Sequence, residues 1–203
     1  MTGEASPDSA SLESGEQARA DIYRLLGALL SGPPAAALLE MLRDITPEDV
    51  ETGAAMTAAW QALRSAAEDT VPAELEDEYF NLFIGLGRGE LVPYASFYIH
   101  GFLMEKVLAS LRDELAALGI TRREGVAEPE DHAAAVCEIM GMIIASHGLH
   151  LQQLAFFETY IGSWLGCFFE DLNKAEKADF YRAVALLGQQ FLAVERQYFS
   201  MPA

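Results

Sequence analysis

The sequence predicts an all-α protein that folds as a single helical bundle. Apolar residues recur at three- and four-residue spacing in successive segments, which is the pattern of helices that bury one face. No segment shows the sustained apolar–polar alternation of a β-strand, and no repeat occurs at the periods of solenoid proteins. With 203 residues, of which 51% are hydrophobic, the chain can bury one substantial core.

The first three helices are predicted from their ends as well as from their apolar faces. Gly32-Pro33 closes the first helix, whose apolar face carries Ile22, Leu25, Leu26, Leu29 and Leu30. Pro34 opens a second helix that extends to about Ile45. Thr46-Pro47-Glu48-Asp49 then supplies an N-cap, a proline at the first position and acids in the first turn of a third helix, which ends near Glu68.

Five more helices follow, each with apolar residues on one side. The fourth begins at Pro72, the fifth ends at Gly119, and the sixth begins at Pro129. The predicted spans are roughly 72–84, 94–118, 129–147, 150–173 and 175–199.

The N-terminal stretch differs in composition from the rest of the chain. Residues 1–15 are rich in Ser, Gly and acids, and they lack the basic segment and apolar run of a secretory signal. Such residues cannot bury enough apolar area to offset the entropy lost on ordering. We therefore predict a disordered tail over 1–15 and one helical domain over 16–203. No apolar run is long enough to span a bilayer, so we expect neither export nor stable membrane insertion.

Charge and cysteine usage exclude several classes of protein. The 31 acidic residues outnumber the 13 basic ones and give a net charge of −18, which repels a phosphate backbone and argues against general nucleic-acid binding. A basic partner is attracted instead. Cys137 and Cys167 each lie in an apolar helical pattern, too far apart for a CxxC motif, so we predict that both are buried core residues.

Two features could bind a ligand, but each has a simpler structural interpretation. Gly85, Gly87 and Gly89 suggest a phosphate loop, yet a helix precedes them and the Lys-Ser/Thr of a Walker motif is missing, so a flexible connector is favoured. His147 and His150 have the spacing of a metal pair on one helix face. Gly148 interrupts that helix and no Cys or acid lies at ligand spacing, so no metal or cofactor is expected.

The stretch "EPEDH" (128–132) precedes a helical apolar stripe and raises a third possibility. Asp131-His132 could orient a general base, but no nucleophile motif, paired carboxylates or cofactor motif accompanies it. Pro129-Glu130-Asp131 also has the composition of a helix start, with acids that favour the positive end of the helix dipole. We predict that this proline opens the helix and that His132 with the preceding loop forms a recognition edge.

Four stretches, taken in order, carry a resemblance to a known family. They are "EYFNLFIGLGRGELVPYASFY" (78–98), "EPEDH" (128–132), "FFETYIGSW" (156–164) and "FYRAVALLGQQFL" (180–192). Together they resemble the TorD/DmsD/NarJ family of redox-enzyme maturation chaperones, over roughly residues 16–199. One departure is visible, because family members often have a histidine where this chain has Tyr160.

The resemblance implies a TorD-like helical chaperone that is not an enzyme. Such a protein binds the twin-arginine signal peptide, and often the body, of a molybdenum-cofactor oxidoreductase in the cytoplasm until the cofactor is in place. The client would be formate dehydrogenase-like or similar to the dimethyl sulfoxide and trimethylamine N-oxide reductases. By position, the implied binding residues are Tyr79, Leu82, Phe83, Gly85, Pro93, Tyr94, Ser96, Tyr98, Glu128, Pro129, Asp131 and His132.

A receptor for two guanidinium groups and an apolar stretch needs carboxylates beside an apolar groove. Candidate carboxylates lie in two groups, Glu74, Glu76, Asp77 and Glu78 in the fourth helix and Glu128, Glu130 and Asp131 near the sixth. Two alternatives stay open: a nucleotide hydrolase that uses the Gly-rich loop with Asp131-His132, and a helical scaffold that joins subunits without reading a signal. Exposed apolar helix faces would suit a homodimer as well as a client.

Overall fold

The computed structural model of the chain describes residues 7–46, 53–103, 105–122 and 128–201. Within these ranges it contains ten α-helices and no β-strand, which confirms the predicted all-α fold. The helices are α1 (Pro7–Leu30), α2 (Ala36–Arg43), α3 (Gly53–Asp69), α4 (Pro72–Tyr79), α5 (Ala95–His100), α6 (Glu105–Ala117), α7 (Ala133–Ala145), α8 (His150–Tyr160), α9 (Leu165–Lys174) and α10 (Phe180–Ser200). Helix α4 continues directly into a π-helical turn (Phe80–Ile84).

The helices pack around one aromatic core. Helix α1 lies along α7, α10 packs against α3 and α9, and the short helix α5 contacts α6 and α9. Large side chains with less than 2% of their surface exposed fill the centre: Tyr23, Phe156, Trp164, Phe168, Phe169, Tyr181 and Phe191. Burial of one such side chain contributes about 1.5–3 kcal/mol, so this set is a main source of stability. Helix α5 packs against this set through Tyr98, which contacts Trp164 and Phe168.

The predicted helix over 94–118 is in fact two helices. Gly101 adopts a left-handed conformation (φ 81°), and its N–H donates to the carbonyl of Phe97 (2.7 Å), which ends α5. The prediction of one helix was wrong because the apolar spacing continues across the break. The second part, α6, begins at Glu105.

The predicted helix over 150–173 is also divided. The indole N–H of Trp164 donates to the carbonyl of Tyr160 (2.7 Å), and the N–H of Gly162 donates to that of Phe157 (2.6 Å). These bonds replace the regular helical pattern between α8 and α9. The chain thereby turns Trp164 into the core, where it is 1% exposed.

Helix α10 begins later than predicted, at Phe180, because Glu78 provides its start. One carboxylate oxygen of Glu78 accepts the N–H groups of Asp179 (2.8 Å) and Tyr181 (2.9 Å), and the other accepts that of Phe180 (3.1 Å). Burial raises the pKa of Glu78, although the three amide bonds oppose that change. Glu78 therefore joins the end of α4 to the start of α10.

Two predictions concern the N-terminal stretch and the start of the third helix. Helix α1 begins at Pro7 and so includes residues 7–15 of the stretch predicted to be disordered; a proline is favourable in a first helical turn. The division of the chain at residue 15 stays a prediction. The start signal of the third helix lies largely outside the described residues, which omit 47–52.

Only one of the two cysteines is buried. Cys137 is buried as predicted, but Cys167 is exposed, because α9 turns the next two residues, Phe168 and Phe169, into the core. Across the described ranges, none of the helices is both long and apolar enough to cross a membrane.

Candidate functional site

Residues 93–96 and 128–132 meet in a short antiparallel contact, called the joint below. Tyr94 and His132 form its backbone bridge. The amide after Tyr94 donates to the carbonyl of Asp131 (2.9 Å), and the amide after His132 donates to the carbonyl of the proline before Tyr94 (2.8 Å). The structure thus brings together two motifs that are more than thirty residues apart in the sequence.

Two side chains of the joint begin two different helices. The carboxylate of Asp131 accepts the N–H of Ser96 (3.2 Å) in the first turn of α5, while Nδ1 of His132 accepts the N–H of Ala134 (3.1 Å) in α7. Both are buried, at 3% and 5% exposure. Burial lowers the pKa of His132, although the charges of Glu128 and Asp131 oppose this, so the ring is held neutral and can accept the amide.

The start of α7 differs from the prediction. Pro129 does not open the helix; the N–H of His132 donates to its carbonyl (3.1 Å) in a turn, and α7 begins only at Ala133. The backbone of His132 stays extended (φ −66°, ψ 144°) because it bridges to Tyr94. Consequently the Asp131 carboxylate caps the neighbouring helix α5, not its own.

Tyr94 and Tyr98 each donate a hydrogen bond to an exposed carboxylate. The hydroxyl of Tyr94 donates to Glu128, and that of Tyr98 donates to Asp171 (3.1 Å). Burial, together with these carboxylates, raises the pKa of both tyrosines well above the ordinary value. Tyr94 is the residue directly before α5 and Tyr98 lies in its first turns, so both carboxylates are bonded to the start of this helix.

An aromatic cluster connects α5 to the π-helical turn. The ring of Phe83 lies 5.0 Å from Tyr79, 5.3 Å from Tyr181 and 6.4 Å from Phe168, measured between ring centroids. Tyr98 lies 6.0 Å from the same Phe168 ring. Tyr79 is 9% exposed, and burial raises its pKa to about 12. These residues place the π-helical turn and α5 side by side on α9.

Exposed apolar side chains are frequent in the π-helical turn, the Gly-rich loop, α5 and the residues that follow α5. Of the thirteen large apolar side chains that are exposed in the described residues, six fall between positions 80 and 103. We call them the apolar surface: Phe80, Ile84, Leu86, Ile99, Phe102 and Leu103. The guanidinium of Arg88 lies 5.3 Å from the ring centroid of Phe97, which places the Gly-rich loop against α5. A surface of this kind is typical of a protein-binding site.

Two of the other predicted carboxylates are already engaged. Glu130 accepts hydrogen bonds from Arg112 (2.9 and 3.0 Å) and lies 3.9 Å from Arg122. Although burial alone would raise the pKa of Glu130, these arginines lower it. Glu78 caps α10, as described above. Glu128 is therefore the exposed acid of its group, and Glu74, Glu76 and Asp77 are exposed on α4.

The Gly-rich loop is a tight connector, in which Gly85 and Gly89 allow close approach of the backbone. Gly85 has a positive φ of 62°, and a Cβ there would overlap the carbonyl of Arg88. A Cβ on Gly89 would lie 2.6 Å from the carbonyl oxygen of Leu82. The next helix, α5, has its first amides bonded to Asp131, so the start of α5 is closed to a phosphate.

The histidine pair is separated. His150 packs against the rings of Tyr198 (5.3 Å) and Phe199 (5.5 Å), while His147 has a positive φ of 56° at the end of α7. In the described part of the chain, no group of three His, Cys, Asp or Glu side chains is arranged to hold a metal ion.

Two side-chain interactions were not predicted from the sequence. Asp171 is 73 residues from Tyr98, so no spacing rule connects them. The second is a buried ion pair in which Arg19 donates to both oxygens of Glu195 (2.5 and 2.8 Å) and to Gln153 (2.9 Å). A charged residue within the apolar stripe of α10 was the available signal for this pair.

Comparisons with known proteins agree with one another. Residues 50–170 match the family model described as the nitrate reductase delta subunit, a range that includes the joint and α5. The chaperone protein TorD of Aliivibrio fischeri is 25% identical over 205 residues, or 90% of this chain and 94% of that protein. A protein of Haemophilus influenzae described as a Tat proofreading chaperone, DmsD, is 30% identical over 122 residues, or 59% of each chain.

The fold has a match among solved structures. A protein of Archaeoglobus fulgidus described as a redox enzyme maturation protein superposes with a TM-score of 0.56. The two are 20% identical, and the match covers 86% of this chain and 93% of the other. It supports the helical fold, while the two chaperones are the nearer guide to function.

Proposed function

The chain belongs to the TorD family of redox-enzyme maturation chaperones, the family of the nitrate reductase delta subunit, and we propose that it binds the twin-arginine signal peptide of its client. The client is the cofactor-free catalytic subunit of a molybdenum-cofactor oxidoreductase, formate dehydrogenase-like or similar to the dimethyl sulfoxide reductases. The chaperone holds it in the cytoplasm until the cofactor is inserted, and then releases it for export.

One observation carries this proposal: two exposed carboxylates are bonded to tyrosines in the same stretch of chain, 80–103, that carries the exposed apolar side chains. Glu128 and Asp171 are held by Tyr94 and Tyr98, which are one helical turn apart. A twin-arginine leader offers two neighbouring guanidinium groups followed by an apolar stretch. Guanidinium groups form strong charge-assisted bonds with carboxylates, and the apolar stretch has the exposed side chains between 80 and 103 to pack against.

The predicted site residues divide into two roles. Glu128 is exposed and would contact the leader, as would the half-buried Tyr94 and Tyr98, whose hydroxyls are bonded to exposed carboxylates. The remaining residues are buried or half-buried and would support the site: Tyr79, Phe83, Pro93, Ser96, Pro129, Asp131 and His132. The net charge of −18 would further attract the basic leader at long range.

A binding role accounts for the site better than catalysis. The Asp131 carboxylate and Nδ1 of His132 are both occupied by backbone amides, so neither is poised to take a proton from a substrate. We therefore propose a protein without enzymatic activity, and without nucleic-acid partners given its charge. We also propose that two copies of the chain can associate through the apolar surface. Such a homodimer would compete with the client for this surface.

Titration calorimetry with a synthetic leader tests the proposal. A leader with two adjacent arginines should bind, and one with two alanines should bind at least about tenfold more weakly, a loss of 1.4 kcal/mol or more. A scaffold that does not read the signal would instead bind the client subunit equally with and without its leader. Equal affinity for the arginine and alanine leaders at low salt would overturn the proposal.

The position of the leader can be tested with a thiol of the chain itself. Cys137 is fully buried, whereas Cys167 is exposed on α9, directly before Phe168, whose ring lies 6.0 Å from that of Tyr98. A maleimide should therefore label Cys167 alone in the native protein. A bound leader should slow this labelling several-fold; binding without any protection would place the leader elsewhere.

A further inference from the structure

We infer that Asp131 is a positioning residue, which orients α5 for the client without contacting the client. This inference rests on the proposed function, because it assigns to α5 the presentation of Tyr94 and Tyr98. It also differs from the simplest interpretation of an acidic residue in this motif, which is a direct partner for an arginine of the leader.

Helix α5 depends on its neighbours for its structure. It is six residues long, and a helix of that length is not stable by itself in water. At the start of α5, the N–H of Ala95 donates to the backbone carbonyl of Asp131, and the N–H of Ser96 donates to the side-chain carboxylate of Asp131. On its side, Tyr98 packs against Trp164 at 5.6 Å between ring centroids. Asp131 is thus the anchor at one end of α5.

Asp131 itself is held by the rigid part of the fold. The next residue, His132, caps α7, and α7 is packed along α1 in the core. The amide that follows His132 also donates to Pro93, directly before α5. A continuous set of bonds therefore runs from α7 through the joint to α5. Small changes at Asp131 would move the two tyrosines and the carboxylates that they hold.

A client arginine has no open route to this carboxylate. The side chain is buried at 3% exposure, and it lies beneath the first turn of α5 with its carboxylate bonded to the amide of Ser96. Glu128, three residues earlier, is exposed. The two acids of this motif therefore have different roles: Glu128 binds the leader, and Asp131 orients α5.

Three substitutions separate these tasks. Asp131→Asn removes the charge but keeps an oxygen that can accept the amide of Ser96, whereas Asp131→Ala removes both. For a positioning residue, leader binding measured by calorimetry should stay within about twofold of wild type in the Asn variant and fall roughly five- to tenfold in the Ala variant. Glu128→Gln should weaken binding and reduce its salt dependence, while Asp131→Asn leaves the salt dependence unchanged.

Hydrogen exchange of the leader-free protein supplies a second readout. Amides 95–98 should exchange faster in Asp131→Ala than in wild type, and at the wild-type rate in Asp131→Asn. This readout does not require a leader, so a failure of the wild type to bind would overturn the proposed function and leave the joint testable. If Asp131→Asn lost as much binding as Glu128→Gln, with a reduced salt dependence and with amides 95–98 still exchanging at the wild-type rate, the positioning role would be wrong. Should the Ala variant fail to fold, the comparison of the Asn and Gln variants still decides.

Discussion

Nδ1 of His132 accepts the backbone N–H of Ala134 at 3.1 Å, so this histidine is the N-cap of α7. An imidazole can accept at Nδ1 only while that nitrogen carries no proton. The position therefore combines a capping role with a titratable group that burial keeps neutral.

The first prediction concerns the stability of His132 variants. His132→Asn keeps a side-chain oxygen that can cap the helix, whereas His132→Ala leaves an amide of α7 without its acceptor. We expect the Ala variant to be less stable than the Asn variant by about 1 kcal/mol in urea unfolding at pH 8. Equal stabilities would show that the hydrogen bond contributes nothing.

The same residue predicts a pH dependence. Burial places the pKa of His132 below its usual 6.5, so as pH falls below that value the unfolded chain takes up a proton here before the folded protein does. The contribution of neutral His132 to the free energy of unfolding should therefore be complete above pH 6.5, and stability should decrease as the pH falls below that value. His132→Asn should have a smaller decrease between pH 7 and pH 5. An identical slope in both proteins would mean that another group is responsible.

A third prediction uses two glycines of one loop. Gly85 and Gly87 both have positive φ, but a Cβ would overlap the Arg88 carbonyl only at Gly85 and would meet nothing within 4 Å at Gly87. Gly87→Ala should cost about 1 kcal/mol from backbone strain, and Gly85→Ala a further 1–3 kcal/mol from crowding. Thermal unfolding of the pair measures the difference, and equal losses would argue against the tight loop.

The buried ion pair gives the fourth prediction. Arg19→Ala leaves the carboxylate of Glu195, which is 0% exposed, without its ion-pair partner and with the Tyr23 hydroxyl as its remaining donor, and should destabilise the protein by about 3–5 kcal/mol. The matched control is Arg24→Ala on the same helix, whose partner Asp21 is exposed; it should cost no more than about 1 kcal/mol. Urea unfolding that gave similar values for both would show that burial of the pair is unimportant.

The N-terminus provides the fifth prediction, that residues 1–15 are dispensable. Their deletion leaves Glu16, whose carboxylate accepts hydrogen bonds from Gln153 (3.3 Å) and Tyr198 (3.4 Å). The melting temperature should stay nearly unchanged, and helicity should fall only by the share that residues 7–15 of α1 contribute. A deletion that extends through Arg19 should instead remove the buried ion pair and lower the melting temperature sharply. A large loss from the shorter deletion would mean that the segment packs on the core.

Much of the fold was readable from the sequence because helical spacing and helix ends are local. Pro72 and the Gly32-Pro33 pair mark boundaries that depend on a few neighbouring residues. The breaks after His100 and Tyr160 were missed because Gly101 and Trp164 act through bonds that leave the apolar spacing intact. Periodicity alone could not show them.

The structure brings the motif residues together around the joint and α5, while their part in client binding stays a prediction. Yet the sequence assigned Asp131 to its own helix, and only the structure shows that it caps another one. Asp171 lay beyond any motif, since its link to Tyr98 depends on how α5 and α9 pack.

The most direct test of the account is a double-mutant cycle between Glu128 and the arginines of the leader. Calorimetry would measure the affinities of wild type and Glu128→Gln for a twin-arginine and a twin-alanine leader at low salt, with Asp21→Asn on α1 as a control for the loss of one charge. We predict that Glu128→Gln weakens binding of the arginine leader roughly tenfold and hardly changes that of the alanine leader, a coupling of about 1.4 kcal/mol. An equal loss for both leaders, or a loss no larger than that of Asp21→Asn, would contradict the claim that this carboxylate binds a leader arginine.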